Sequence, residues 1–195
     1  MLAFFQSRRS TRKYRPDPVP EDKLMQILEA GRCAPSGSNN QSTHYLVIRN
    51  PQVLDRLREL VQQEFAKMEL TPGMYKSLAG AARSAKKGGY VFHYNAPVLV
   101  VLANKIDYGN AQADCSTAAE NMMLMANALD LGSCWINQLR WLNENPVLLE
   151  YLHGLGMAGD EKVYCSVALG YADTADGLPL RSPIAVTGNP ITWVD

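Results

Sequence analysis

"NAQADCSTAAENMMLMANALDLGSCWIN" spans residues 110–137, and its reading decides the fold. Ala, Leu and Met, all strong helix formers, dominate its first two thirds. Their apolar side chains fall nearly all the way round a helical period, not along one stripe. A helix of that kind is buried on most sides and belongs at the centre of a structure. Gly132 and Ser133 break it, and "SCWIN" reads as a short strand or extended turn. The Met-rich run "NMMLMANAL" is read as core packing.

Further elements lie on both sides of this helix. "VPEDKLMQILEAG" (19–31) reads as an amphipathic helix, with Glu21 and Asp22 at its positive end and Gly31 as its stop. "HYLVIR" (44–49) is a strand by its β-branched and aromatic content. "NPQVLDRLRELVQQEFAKM" (50–68) is a second amphipathic helix that starts at Asn50-Pro51. "APVLVVLAN" (96–104) is a continuous apolar strand, suited to burial on both faces. "NENPVLLEYLHGLG" (143–156) is a helix with Asn145 as N-cap and Pro146 at its first position. "KVYCSVALGYA" (162–172) is another strand. Residues 69–90 mix helix formers with Pro and Gly and read as a mobile excursion holding a short helix. The end of the chain is punctuated by Pro179, Pro183 and Pro190 and reads as an extended arm over about 178–195. The order of elements makes an α+β domain, with no internal repeat and no linker dividing residues 1–195.

Composition narrows the function classes. The chain has 195 residues, 47% of them apolar and 19% charged, with 19 Lys and Arg balancing 19 Asp and Glu. A general nucleic-acid binder would show a basic excess, so that class is disfavoured. The four cysteines have no metal-binding spacing and are expected to be reduced thiols. No signal peptide or membrane-spanning run is visible, so a soluble, cytoplasmic protein is expected. No metal site is expected.

Against this neutral background "SRRSTRKYRP" (7–16) gathers Arg8, Arg9, Arg12, Lys13 and Arg15. A solvated basic turn is the plain reading. The functional one is an anion cradle, since guanidinium forks match phosphate oxygens and Ser10 and Thr11 add hydroxyls. No glycine-rich phosphate loop is present. "CAPSGSNNQ" (33–41) is a surface turn by composition. Its density of amides and hydroxyls also suits the polar edge of a heteroaromatic ring. The three histidines are read as core or surface residues. Asp114 and Glu120 are assigned to the first turns of the long helix. Cys134 lacks a nearby base to make it a nucleophile.

Taken in order, "RRSTRKY", "APSGSNNQ", "AAENMMLMANALDLGSCWIN" and "VALGYAD" with "PLR" resemble the FMN-dependent nitroreductase family over nearly the whole chain. The resemblance implies a central, mostly antiparallel sheet flanked by helices and an intertwined homodimer that exchanges its C-terminal arms. It also implies a variable helical excursion near the active site at about 66–90. Bound FMN and NAD(P)H as electron donor are implied with it. By the same resemblance Arg8, Arg9, Ser10 and Arg181 hold the phosphate and ribityl end, and Arg12 lies near the N1/O2 edge. Pro35, Ser36, Gly37, Asn39 and Gln41 come from the other subunit, and Cys134, Trp135, Ile136 and Asn137 run along the ring. No side chain has to catalyse hydride transfer, because the flavin does so at N5. Two positions depart from the family pattern: Ser42 follows Gln41 where Pro is common, and Asp130 stands where Gly is common. The implied activity is reduction of small electrophiles such as nitroaromatics or quinones by a ping-pong route. A flavin-storing or sensing protein and a specialised relative are the alternatives, with no nucleic-acid or membrane partner expected.

Overall fold

The computed structural model describes residues 1–194; Asp195, the last residue of the expected arm, lies outside the described residues. In chain order the elements are α1 (Leu2–Ser7), α2 (Glu21–Arg32), β1 (His44–Ile48), α3 (Pro51–Lys67), α4 (Lys76–Lys87), β2 (Val98–Lys105), α5 (Ala111–Ala128), β3 (Gly132–Ile136), α6 (Gln138–Trp141), α7 (Pro146–Gly154) and β4 (Glu161–Gly170). A single 3-10 turn covers Gly37–Asn39.

The strands form one sheet in the order β1-β2-β4-β3, with every pair antiparallel. β2 and β4 are central, which is why their sequences are apolar without alternation. One face packs against α3, α4 and α7 through Leu57, Phe65, Ala82, Val101 and Leu152. The other packs against α2 and α5 through Ile27, Val100, Leu102, Met122 and Val167. This is the expected α+β layering of helices on an antiparallel sheet.

Local signals explain the boundaries. The Asn50 side chain accepts from the amides of Gln52 and Val53 at 2.9 and 3.4 Å, and Pro51 opens α3. Asn145 accepts from the Leu148 amide at 3.0 Å ahead of Pro146 in α7. Each cap satisfies backbone donors that the helix cannot pair internally. The excursion at 69–90 contains α4, a full helix that lays Ala79, Ala82 and Ala85 against α3. Two short helices, α1 and α6, had no signal strong enough to be read from sequence.

One expectation is corrected. Gly31 does not end α2, which continues to Arg32. A Cβ on Gly31 would lie 2.8 Å from Met122 Cγ and 3.1 Å from Tyr45 Cε1. Its role is close packing of α2 on α5, and side-chain volume there would force the helices apart. Asp130 holds the left-handed conformation, φ +63°, just past α5, which is the geometry that favours glycine at a helix end.

His93 is buried between α3 and the loop before β2 and makes no hydrogen bond of good geometry from either ring nitrogen. Burial, with help from Arg58, pushes its pKa down to about 4 from 6.5. Between these values the unfolded chain binds a proton that the folded chain refuses, so stability falls as pH drops from about 6.5 to about 4. His93→Phe is expected to remove this slope, worth up to about 3 kcal/mol. Urea unfolding of both proteins across that pH range measures it, and parallel curves would refute the assignment.

Candidate functional site

Two polar clusters and one strand carry the residues singled out above. The N-terminal cationic segment lies along β3. Ser10 bridges Ser133 in parallel, and the Thr11 amide donates to Ser133 O at 2.9 Å. Gly132 permits this, since a Cβ there would sit 2.6 Å from Thr11 Oγ1. The segment then crosses to the end of β4, where Tyr14 bridges Ala172. A cavity of about 220 Å³ opens here, with Arg9, Ser10, Arg12 and Lys13 on one side and Asp173 and Thr174 on the other.

The cations have unequal surroundings. Arg8 lies 3.9 Å from Glu120. Arg9 donates to Ser182 O, which anchors the start of the arm. Arg181 donates to Asn127 O and to Asp130 Oδ1, each at 2.6 Å, at the C-terminal end of α5. Arg12 makes no ion pair among the described residues. Arg8 therefore reaches the middle of α5 and Arg181 its C-terminal end.

The second cluster is the loop at residues 33–41. Ser38, Asn39 and Gln41 all take positive φ, near 50°, which winds the loop into a tight polar knot. Ser36 Oγ accepts from the Gln41 amide at 2.9 Å, and Gln41 Nε2 donates to Asn39 Oδ1 at 2.8 Å. Thr117 donates to Pro35 O at 3.2 Å, tying the loop to α5. Asp114 was read from sequence only as a helix-start residue, and the structure gives it a larger task. Its Oδ1 accepts from the Gly37 amide at 3.0 Å. The Tyr108 hydroxyl lies 2.9 Å from Asp114 Oδ2 and 3.1 Å from Gly37 O, sharing its proton between them. Both sides of Gly37 are thus clamped, and a Cβ there would fall 2.2 Å from Asn110 Nδ2. The pair's six-residue spacing across a helix start was the only sequence trace of the clamp.

Along β3, Cys134 and Ile136 point into the core, whereas Trp135 is half-buried. Burial raises the Cys134 thiol pKa, against a nucleophilic role. Trp135 Nε1 donates to Asn137 Oδ1 at 2.8 Å. Next to them, Gln138 Nε2 donates to the Tyr90 hydroxyl at 2.7 Å. This face therefore offers Trp135 and Asn137 as side chains, and Cys134 and Ile136 mainly as backbone.

The clusters do not meet within one chain. Asn127 Nδ2 donates to Ser7 Oγ at 2.9 Å, fixing the cationic segment to one end of α5. Gly37 is held by Asp114 at the other. The thirteen residue steps from Asp114 to Asn127 span about 20 Å of helix.

An antiparallel sheet between helical layers, with an arginine-rich edge, a clamped polar loop and no metal-binding cluster among the described residues, defines a small α+β domain. The chain belongs to the Nitroreductase family, whose model matches residues 5–171. It is 38% identical to a nitroreductase from Bacteroides fragilis solved with bound FMN. That alignment covers 100% of this chain and 98% of the other, with a TM-score of 0.84. An FMN-bound nitroreductase from Desulfitobacterium hafniense, 23% identical, shares the fold with a TM-score of 0.82 over 100% of this chain and 97% of the other. A protein of Archaeoglobus fulgidus named "Putative NADH dehydrogenase/NAD(P)H nitroreductase" is 29% identical over 87% of this chain and 84% of its own length.

Asp114→Asn is expected to raise hydrogen exchange at the Gly37 amide at least tenfold while the sheet amides stay protected, because a charge-assisted acceptor is lost. Unchanged exchange at Gly37 would show that the clamp does not hold the loop.

Proposed function

We propose that the protein works as a homodimeric, NAD(P)H-dependent FMN oxidoreductase with two composite sites, each built from both copies. The observation that carries this reading is the separation of the two half-sites by most of the length of α5. A second copy running the opposite way brings the loop of one chain to the cationic segment of the other. An uncovered apolar groove along α5, lined by Phe4, Ala30, Leu124, Met125 and Ala128, supports the pairing. The arm supports it too: Ile184, Val186, Ile191, Trp193 and Val194 are all largely exposed on the single chain. Apolar surface of that extent marks an interface, and exchanged arms cover it. Residues 1–195 act as one domain, with the α4 excursion beside the site.

The residues fit the cofactor. The cavity at Arg9, Ser10 and Arg12 combines guanidinium forks with a hydroxyl, a donor set suited to a phosphate monoester. Arg8, Arg9, Ser10 and Arg181 would hold the phosphate and ribityl end. Arg12, free of carboxylate partners, would meet the pyrimidine edge of the ring and favour negative charge there. Pro35, Ser36, Gly37, Asn39 and Gln41 of the second copy would line the ring, and Trp135 and Asn137, with the backbone of Cys134 and Ile136, would run along it. When bound, FMN supplies the two-electron carrier, accepting hydride at N5 from NAD(P)H and passing the electrons on to nitroaromatics, quinones or related electrophiles in a second half-reaction. The chain's own share is binding, orientation and charge stabilisation, which explains the lack of an acid–base pair. Four free thiols, three of them buried, suit a reducing compartment, and a cytoplasmic location belongs to this proposal.

The visible spectrum of the purified protein, followed by anaerobic NADH or NADPH, tests the reading. Flavin bands that bleach are expected. Bands that persist would favour a flavin-storing or specialised protein, and a colourless protein that refuses FMN would overturn the proposal. Arg8→Ala combined with Arg181→Ala is expected to lower FMN retention while the dimer persists in sedimentation. Arg12→Ala is expected to lower the flavin potential more than it lowers flavin content.

A further inference from the structure

From Leu70 to Ile106 the chain contains no Asp or Glu, although the whole protein is neutral. Within that stretch α4 exposes Lys76, Arg83, Lys86 and Lys87, and none of the four has an ion pair or a side-chain hydrogen bond among the described residues. The neighbouring helix behaves differently. On α3, Arg56 pairs with Glu59, Arg58 with Asp55 and Lys67 with Glu64. Such i,i+3 pairs balance the cations of α3; α4 carries no carboxylate to do so.

Helix electrostatics do not explain the pattern. Lys86 and Lys87 in the last turn suit the negative end of the helix. Lys76 does not, because it is the first residue of α4, where the dipole disfavours a cation and no acid is present. Lys76, Arg83 and Lys87 fall on one line along the helix, within about 20° of a common direction. Arg83 and Lys87 are one turn apart and can converge on one anion. Lys76 lies about 10 Å from Arg83 along the axis and reaches a second. Gly80 stands between them with nothing within 4 Å of where a Cβ would be, leaving room for a ligand against the helix.

The two ends of α4 lie against the segment that follows β3. At the N-terminal end of α4, Tyr75 packs edge-on against Trp141 of α6, with centroids 6.1 Å apart. Beyond its C-terminal end, Tyr90 accepts from Gln138, the residue after Asn137. Both ends of α4 are thus fastened to the segment that follows β3.

We propose that Lys76, Arg83 and Lys87 dock the phosphates of the nicotinamide donor, so that the protein takes NADPH in preference to NADH. Two anion positions about 10 Å apart match the pyrophosphate and the adenosine 2′-phosphate of NADPH, whereas NADH fills only one. The inference rests on the flavoenzyme reading for its use of the donor, but the docking itself is measured without flavin chemistry.

The probes are adenosine 2′,5′-bisphosphate and 5′-AMP, titrated into the holoprotein by calorimetry and by amide NMR. The bisphosphate is expected to bind at least tenfold more tightly, to shift amides of residues 76–87, and to weaken with added salt. The triple variant Lys76→Gln, Arg83→Gln, Lys87→Gln keeps good helix formers on an exposed face. It is expected to lose this preference and to lower the NADPH-to-NADH ratio of kcat/KM about tenfold, with flavin content unchanged. Equal binding of the two probes, or a preference that survives the triple variant, overturns the proposal. A yellow protein without the preference refutes this inference alone, and a colourless one that retains it refutes the flavin reading alone.

Discussion

The burial of α5 is the constraint on which the rest depends. Its inner side packs Ala118, Ala119 and Met122 onto β2 and β4, and small residues let the helix lie close to the sheet. Gly31 gives α2 the same closeness on the flank. Because α5 is long and fixed at both ends, it sets the distance between the cationic segment at Asn127 and the polar loop at Asp114. A rigid spacer of this kind holds the two polar clusters about 20 Å apart within one chain.

Each polar cluster is rigid in its own way. The cationic segment borrows order from the sheet, adding the Ser10–Ser133 bridge to the edge at β3. The loop borrows order from α5 through a buried carboxylate and a tyrosine hydroxyl on either side of one glycine. Asp114 has no cation beside it; two hydrogen-bond donors, the Gly37 amide and the Tyr108 hydroxyl, and its place in the first turn of a helix compensate for burying it. Loops that meet ligands are useful when their geometry is fixed in advance, because ordering them on binding costs affinity.

Much of the fold was legible from periodicity. β2 and β4 announced themselves as unbroken apolar runs, and α3 and α7 by Asn-Pro starts whose caps form as read. α1 and α6 were not legible. Six and four residues are too few to show a period, and their conformation depends on packing beside α5 and β3. The misreading of Gly31 has a physical cause as well. Glycine at the end of an amphipathic run signals a stop in most contexts, and only the crossing with Met122 shows that absence of a side chain is what matters.

For the site, the sequence by itself determined the chemistry available: a cluster of guanidinium groups, a polar loop and a strand with a tryptophan, in an order resembling one family. Those are properties of residue type and chain order, which sequence carries directly. Tertiary structure decided what each group can do. It buried Cys134 and Ile136 in the core layer of α3 and α7 and laid the half-buried Trp135 against the opposite layer, because a strand alternates its faces. It brought Asp114 to Gly37 across 77 positions of chain. Contacts between distant positions arise from packing the layers together, and no local pattern encodes them.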